Sequence, residues 1–395
     1  MRTWLKLFFL VFLTLSTSQN ALAEGWFSKE ANGVKLQAFL FLSSTCPHCQ
    51  KEEAFFNALQ PKKPWLTVNR FQVNENKAAL QLFNQQLQAL HQTDFTVPAV
   101  FFCHSRWAGF ASSQTTGRAL EEGLDYCHQQ ILKEGALQHA TVNVLNQLAN
   151  ASWLATTMPA NASPVSMLTS IALMDAFSPC SLFIILALFS FLWLFRDPGI
   201  KVAFGLVFIL ALGVVHHLQQ SHLFFLNDIR PLIRLVSIAV GMAVIAYLVR
   251  IYFRSTTDKP NVGVPLLIGF TAAILEVFQQ SGIPNFALVF QQWLSAGQHS
   301  VPRLFFFNLL YQVIYLAPLS ILVYFFLKLH RRARTDDIQN LVICFSWCYL
   351  FLLGLLFMFY PEGLRSMKLS FMVFVVAFAA GLLATKQKKR LGIVW

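Results

Sequence analysis

Beyond residue 165 the chain consists of seven long apolar runs with little between them, and this pattern limits what it can fold into. The runs lie near 166–195, 200–219, 231–253, 263–290, 304–329, 338–360 and 368–385. Each approaches or exceeds the roughly 20 residues that a helix needs to cross a bilayer core. In hydrocarbon every backbone N–H and C=O must be paired within the segment, so such runs are helices. The composition agrees: 56% of the 395 residues are hydrophobic, 12% are charged and 40 are phenylalanine. A free soluble enzyme, a disordered tail and a fibrous repeat are excluded.

The net charge of +12 raises the question of nucleic acid. Residues 24–140 are neutral overall, with 10 basic and 10 acidic side chains, so the excess lies in the first 23 residues and the apolar half. Loops at 196–201, 250–259, 328–337 and 386–390 hold 13 Lys/Arg, whereas the opposite loops hold 5. That asymmetry marks the first set as cytoplasmic and leaves the N-terminal part outside; nucleic acid is not an expected partner.

Residues 1–23 read as a signal peptide: Arg2 and Lys6, an apolar core at Leu7–Leu15, and Ala21-Leu22-Ala23 before Glu24. Residues 24–140 form a soluble domain. A buried strand at Leu36–Leu42 runs into Cys46-Pro47-His48-Cys49, followed by a helix carrying Phe55, Phe56 and Leu59. A strand at Leu66–Val73, a helix at Asn76–Gln92, a strand through Val97-Pro98, a hairpin partner at Arg106–Phe110 and a helix at Arg118–Glu134 complete the order. Residues 141–165 read as a linker with one short strand near Val142–Leu145, and 166–395 as the transmembrane domain.

A C-x-x-C motif opening a helix places its first sulfur over free backbone N–H groups at the positive end of the helix dipole, which favours sulfur as an anion and a nucleophile. Zinc would need two further ligands, and a purely structural disulfide at an exposed helix start is a poor fit. Redox chemistry at Cys46 and Cys49 is the expected reading, with no metal and no cofactor. Cys103 and Cys127, 24 residues apart, suit a stabilising disulfide in an oxidising compartment.

Two apolar runs carry polar breaks. The first contains Asp175-Ala176-Phe177-Ser178-Pro179-Cys180; the fourth contains Glu276 and then Gln279-Gln280-Ser281-Gly282-Ile283-Pro284. An acid in hydrocarbon and a mid-span proline both call for protein or water partners, and paired broken helices point to a central site. His216 and His217 read as interfacial, Cys344 and Cys348 as packing residues, and Phe305–Phe307 as lipid-facing bulk.

Cys46-Pro47-His48-Cys49 between a strand and a helix, with Val97-Pro98 some fifty residues later, resembles the thioredoxin/glutaredoxin superfamily. The resemblance implies a cis peptide at Pro98 beside the attacking sulfur and a supporting donor at His48. The membrane half resembles the DsbD/CcdA family of transmembrane thiol electron carriers. The likeness lies in the first broken span, in Tyr311–Tyr315 with Pro318, and in Gly354 followed by Pro361-Glu362. It implies a redox cysteine at Cys180. The family's second cysteine falls where Gln279 stands, so the intramembrane pair is incomplete.

The expected fold is an α/β thioredoxin-like domain joined to a polytopic α-helical membrane domain of about seven spans with two broken helices. The expected function is a membrane-tethered periplasmic thiol–disulfide oxidoreductase of the protein-disulfide reductase type, in a bacterial inner membrane. Its partners would be extracytoplasmic thiol or disulfide proteins, the lipid bilayer and, by the resemblance, cytoplasmic thioredoxin. A transporter-like protein with a thioredoxin-like sensor, or a scaffold with a non-relaying membrane half, is the alternative.

Overall fold

A computed structural model describes residues 25–30, 33–157, 163–178, 181–195, 197–253, 263–280, 284–296, 301–330 and 336–391. The signal peptide expected at 1–23, Pro179, Cys180 and residues 281–283 lie outside the described residues. The chain divides into two compact units, Met1–Ala149 and Asn150–Trp395.

The first unit is built on a five-stranded mixed sheet. Strand β2 (Gly33–Leu42) is its hub, pairing antiparallel with β1 (Phe27–Glu30), parallel with β3 (Leu66–Gln72) and antiparallel with β4 (Ala99–Phe102). Strand β5 (Ser105–Ala108) continues from β4 as a hairpin. Leu36, Ala38, Leu40 and Phe41 of β2 are fully buried, as a strand covered by helices must be. Helix α1 (Pro47–Leu59) starts with Cys46 as N-cap and Pro47 in its first turn, where a missing N–H costs nothing. Its buried stripe is Cys49, Glu52, Phe56 and Leu59, one helical face that includes a carboxylate. Helix α2 (Lys77–Ala89) is capped by the Asn76 side chain, which accepts from Ala78 and Ala79 N–H. Helix α3 (Arg118–Glu134) ends at Gly135, whose φ of 71° is a left-handed cap that a side chain would strain.

The residues expected as a linker with a short strand are largely helix instead: α4 spans His139–Thr157. Val142, Leu145 and Ala149 are buried at helical spacing, so their apolar pattern belongs to a helix face and not to an extended strand.

The second unit is helical: α5 (Pro164–Ala176), α6 (Ser181–Trp193), α7 (Pro198–Ser221), the short α8 (Leu223–Asp228), α9 (Arg230–Phe253), α10 (Gly263–Gln279), α11 (Phe286–Ala296), α12 (Val301–His330), α13 (Asp336–Phe359) and α14 (Met367–Leu391). Among the described residues five helices are long and apolar enough to cross a membrane, or six if α5 and α6, which meet at 65°, form one broken span. The chain is thus built as a multi-pass membrane protein. The count falls short of seven because the stretch near 263–290 divides into α10, of 17 residues, and the 11-residue α11. Helices α9 and α13 cross closely, since a Cβ at Gly241 would lie 2.6 Å from the Gly354 carbonyl oxygen.

Candidate functional site

In the first unit the strand-to-helix turn after β2 presents two free thiols. Cys46 is partly exposed and Cys49 is buried, with 2% of its surface accessible. The Cys46 backbone is extended while α1 begins beyond it, so its side chain turns back over the first helical turn. The Cys49 N–H donates to Cys46 Sγ at 3.3 Å, and Ser43 N–H donates to Cys49 Sγ at 3.4 Å. Cys46 Sγ lies 4.0 Å from the Val97 carbonyl oxygen, and the Val97–Pro98 peptide is cis. Pro98 is held from the other side, since its carbonyl accepts from Gly109 N–H at 2.8 Å. The fold therefore brings Cys46 and Val97, 51 positions apart in the chain, into one place, with Cys49 and Pro98 beside them.

His48 is tied elsewhere. Its Nδ1–H donates to the Phe110 carbonyl at 2.8 Å, so this nitrogen anchors the loop after β5 and is not a donor to sulfur. Burial pushes the Cys49 thiol up to about 12, reinforced by its hydrogen bond with Cys46. Its sulfur stays protonated until a base takes the proton. Glu52, one turn deeper on the same helix face, is only 2% exposed and its Oε2 has no hydrogen-bond partner. Burial holds this carboxyl well above the usual carboxylate range, helped by the neighbouring Cys46. The sequence reading passed over Glu52. A carboxylate placed three residues after Cys49 and four before Phe56, on a stripe otherwise apolar, was the available signal.

Cys103 and Cys127 form a disulfide, with Cα atoms 6.6 Å apart and both residues fully buried. It ties the end of β4 to the middle of α3. Neither cysteine is open to solvent, which suits a structural bond.

In the second unit the polar residues of the two interrupted runs meet. Asp175, in the last turn of α5, is 1% exposed; Glu276, in the last turn of α10, is fully buried. Gln280 Nε2–H donates to Asp175 Oδ1 at 3.0 Å, and Gln279 Nε2–H donates to Ser178 Oγ at 3.0 Å. Gln279 thus reaches Ser178, just beyond the end of α5. Asn285, beside Pro284, closes the second break: its Nδ2–H donates to the Gln280 carbonyl at 3.1 Å, and its Oδ1 accepts from Leu288 N–H at 3.1 Å.

His216 of α7 corrects an expectation. It is not interfacial but fully buried, with Nδ1–H donating to Glu276 Oε1 at 2.9 Å and its ring stacked on Tyr315 at 3.9 Å. Tyr311 O–H donates to Asp175 Oδ2 at 2.7 Å, and Tyr315 O–H lies 3.1 Å from Glu276 Oε2. The signal for this was the polar stripe His216, Gln219 and Gln220, at helical spacing inside an apolar run. Cys344 and Cys348 are both half-buried free thiols on α13.

Compared with known protein families, with characterised proteins and with solved structures, the chain matches none.

Proposed function

We infer that the chain is a membrane-tethered thiol–disulfide oxidoreductase whose reactive pair is Cys46 and Cys49. The observation that carries this reading is the asymmetry of the pair: one sulfur accessible at a helix start and accepting a backbone N–H, the other buried and held as a thiol. Such an arrangement suits attack by the first and resolution by the second. As a thiolate, Cys46 attacks a client disulfide, forming a Cys46–client bond and releasing one client sulfur as a thiolate that takes a proton from water. Glu52 in its ionised form takes the proton of Cys49, whose thiolate attacks Cys46 Sγ and forms the Cys46–Cys49 disulfide. The second client sulfur is released and takes that proton from Glu52. The steps run in reverse when the pair starts oxidised, and a dithiol of an external protein resets the reduced form.

The mixed sheet with α1 after its central strand, together with the Cys46–Val97 juxtaposition, supports a thioredoxin-like fold for residues 24–140. Counting α5–α6 and α10–α11 as broken spans supports a reading of seven crossings, and the loop charges support a thiol domain facing outward from a bacterial inner membrane. The proposed partners are extracytoplasmic thiol or disulfide proteins, with cytoplasmic thioredoxin as the source of electrons. By the resemblance, Cys180 is the proposed membrane thiol of the relay, with no cysteine at Gln279 to pair with it.

The test is reduction of a disulfide-linked peptide by the full chain in lipid vesicles under a supply of dithiol. Cys46→Ser abolishes turnover on this reading, whereas turnover retained by Cys46→Ser would discard it. Loss of turnover in Cys180→Ala would join the membrane half to the relay, and full turnover would leave that half as an anchor.

A further inference from the structure

The cluster around His216 makes a demand on protons that the thiol chemistry does not use. His216 Nδ1 faces Glu276 Oε1 at 2.9 Å, with Gln280 Nε2 3.4 Å from the same nitrogen. When Nδ1 carries the proton and donates it to Glu276, Nε2 is the open position of the ring; when Nε2 carries it, the lone pair faces Glu276 instead. Nε2 is buried, makes no hydrogen bond, and lies 3.5 Å from Asp175 Oδ2. In a neutral ring with its proton on Nδ1, Nε2 presents a lone pair. Facing a carboxylate oxygen at that distance, it meets lone pair with lone pair inside hydrocarbon. A proton between the two atoms removes the conflict, either as Nε2–H of an imidazolium or as the O–H of an aspartic acid.

The surrounding charges favour the same proton. Among the described residues His216 is the one basic side chain within ion-pair distance of either carboxylate, and it carries a charge only when protonated. Each carboxylate sits in the last turn of its helix, α5 or α10, where the negative end of the dipole adds to the field. The other titratable groups facing the cluster are the Tyr311 and Tyr315 hydroxyls of α12. Helices α6 and α11 contribute no titratable side chain. His217 and Lys201 share α7 with His216, but His217 is exposed and Lys201 lies 15 positions away, about 22 Å along the axis. Arg303, Tyr324 and Lys328 of α12 and Asp228 of α8 are all exposed. Arg230, at the start of α9, is 2.9 Å from Glu362 of the Pro361–Arg365 turn and is neutralised there. A sealed negative charge of this kind is costly, and a bound proton relieves it.

We propose that Asp175, His216 and Glu276 form an intramembrane proton-binding site, with the exchangeable proton shared between His216 Nε2 and Asp175 Oδ2. The proton comes from water, forms one N–H or O–H bond and returns to water; no electron moves. The hydrogen-bond pattern selects a proton over a metal cation. Both tyrosine hydroxyls, Gln280 Nε2–H and His216 Nδ1–H point their hydrogens at the carboxylates, so a metal ion would meet donors, and no group of three His, Cys, Asp or Glu among the described residues is arranged to hold one. The site lies where the two interrupted runs meet, so loading or unloading the proton bears directly on the contact between α5, α7, α10 and α12. This inference stands apart from the thiol reading and does not need it.

The test uses the full wild-type chain in lipid vesicles at about pH 8, where ordinary histidine is neutral and ordinary aspartate is ionised. Aspartate labelled with ¹³C reports a protonated carboxyl in the infrared, and histidine labelled with ¹⁵N reports a doubly protonated ring. The proposal expects one of the two signatures in the wild type and its loss in Asp175→Asn. Absence of both signatures in the wild type overturns the proposal without recourse to any variant. So does a signature that persists in Asp175→Asn, or one that vanishes when sodium replaces a large organic cation at fixed pH.

Discussion

Replacing Glu52 by leucine isolates the effect of a carboxyl sealed beneath Cys49. In the native chain Glu52 is 2% exposed and Oε2 has no partner, so the fold bears the cost of an unsatisfied buried polar group, about 1–3 kcal/mol. Glu52→Leu removes that cost and should stabilise the first unit by about the same amount. The sign of the pH dependence follows from the direction of the shift. The folded carboxyl lies well above its ordinary range, so on raising the pH the unfolded chain loses this proton first. Native stability then falls as pH rises above about 4.3, by at most about 1.4 kcal/mol per unit, until the folded group ionises too. The variant lacks this slope, so its advantage widens with pH. The assay is alkylation of the buried Cys49 in the full chain across a denaturant series, read by mass spectrometry at several pH values. The same substitution should slow resolution of the Cys46 mixed disulfide by roughly 100-fold, because Cys49 loses its proton acceptor. A stability gap independent of pH, together with unchanged resolution, would refute the reasoning.

Two further outcomes are expected. A side chain at Gly123 would meet Trp107 at 2.6 Å, and that indole is buried and stacked on Phe102, so Gly123→Val should destabilise the first unit by about 2–3 kcal/mol in the same alkylation series. Removing the buried Cys103–Cys127 disulfide as the double alanine variant frees a loop of sequence separation 24 and should cost about 2–5 kcal/mol, while Cys46 keeps its reactivity toward thiol reagents in the protein that remains folded.

The parts of the molecule that were legible in the sequence are those fixed by local chemistry. Cys46, Pro47 and Cys49 sit where an N-cap, a first-turn proline and a first-turn donor belong, and α3 has the bounds that its amphipathic pattern implied. The multi-pass character followed from the length of the apolar runs alone. What the sequence did not yield depends on partners distant along the chain. Val142 and Leu145 suit either a short strand or a helix face, and only burial of Ala149 with them identifies α4. Glu52 stands among polar neighbours in the sequence, and only the fold shows that it faces inward with Cys49, Phe56 and Leu59. His216 lies 60 positions from Glu276, and the polar stripe it shares with Gln219 and Gln220 marks a buried face without naming the partners on α10 and α12. The polar break in the run near 263–290 was legible too; that it leaves α10 only 17 residues long, below the length of a full crossing, was not.

The central claim, that Cys46 attacks and Cys49 resolves, is tested most directly by trapping. The full chain carrying Cys49→Ser is expressed in cells, free thiols are blocked on lysis, and covalent adducts are resolved with and without reductant. The account predicts reductant-sensitive adducts through Cys46 that accumulate in Cys49→Ser and are absent from Cys46→Ser. Equal adducts in both variants, or none in either, would contradict it.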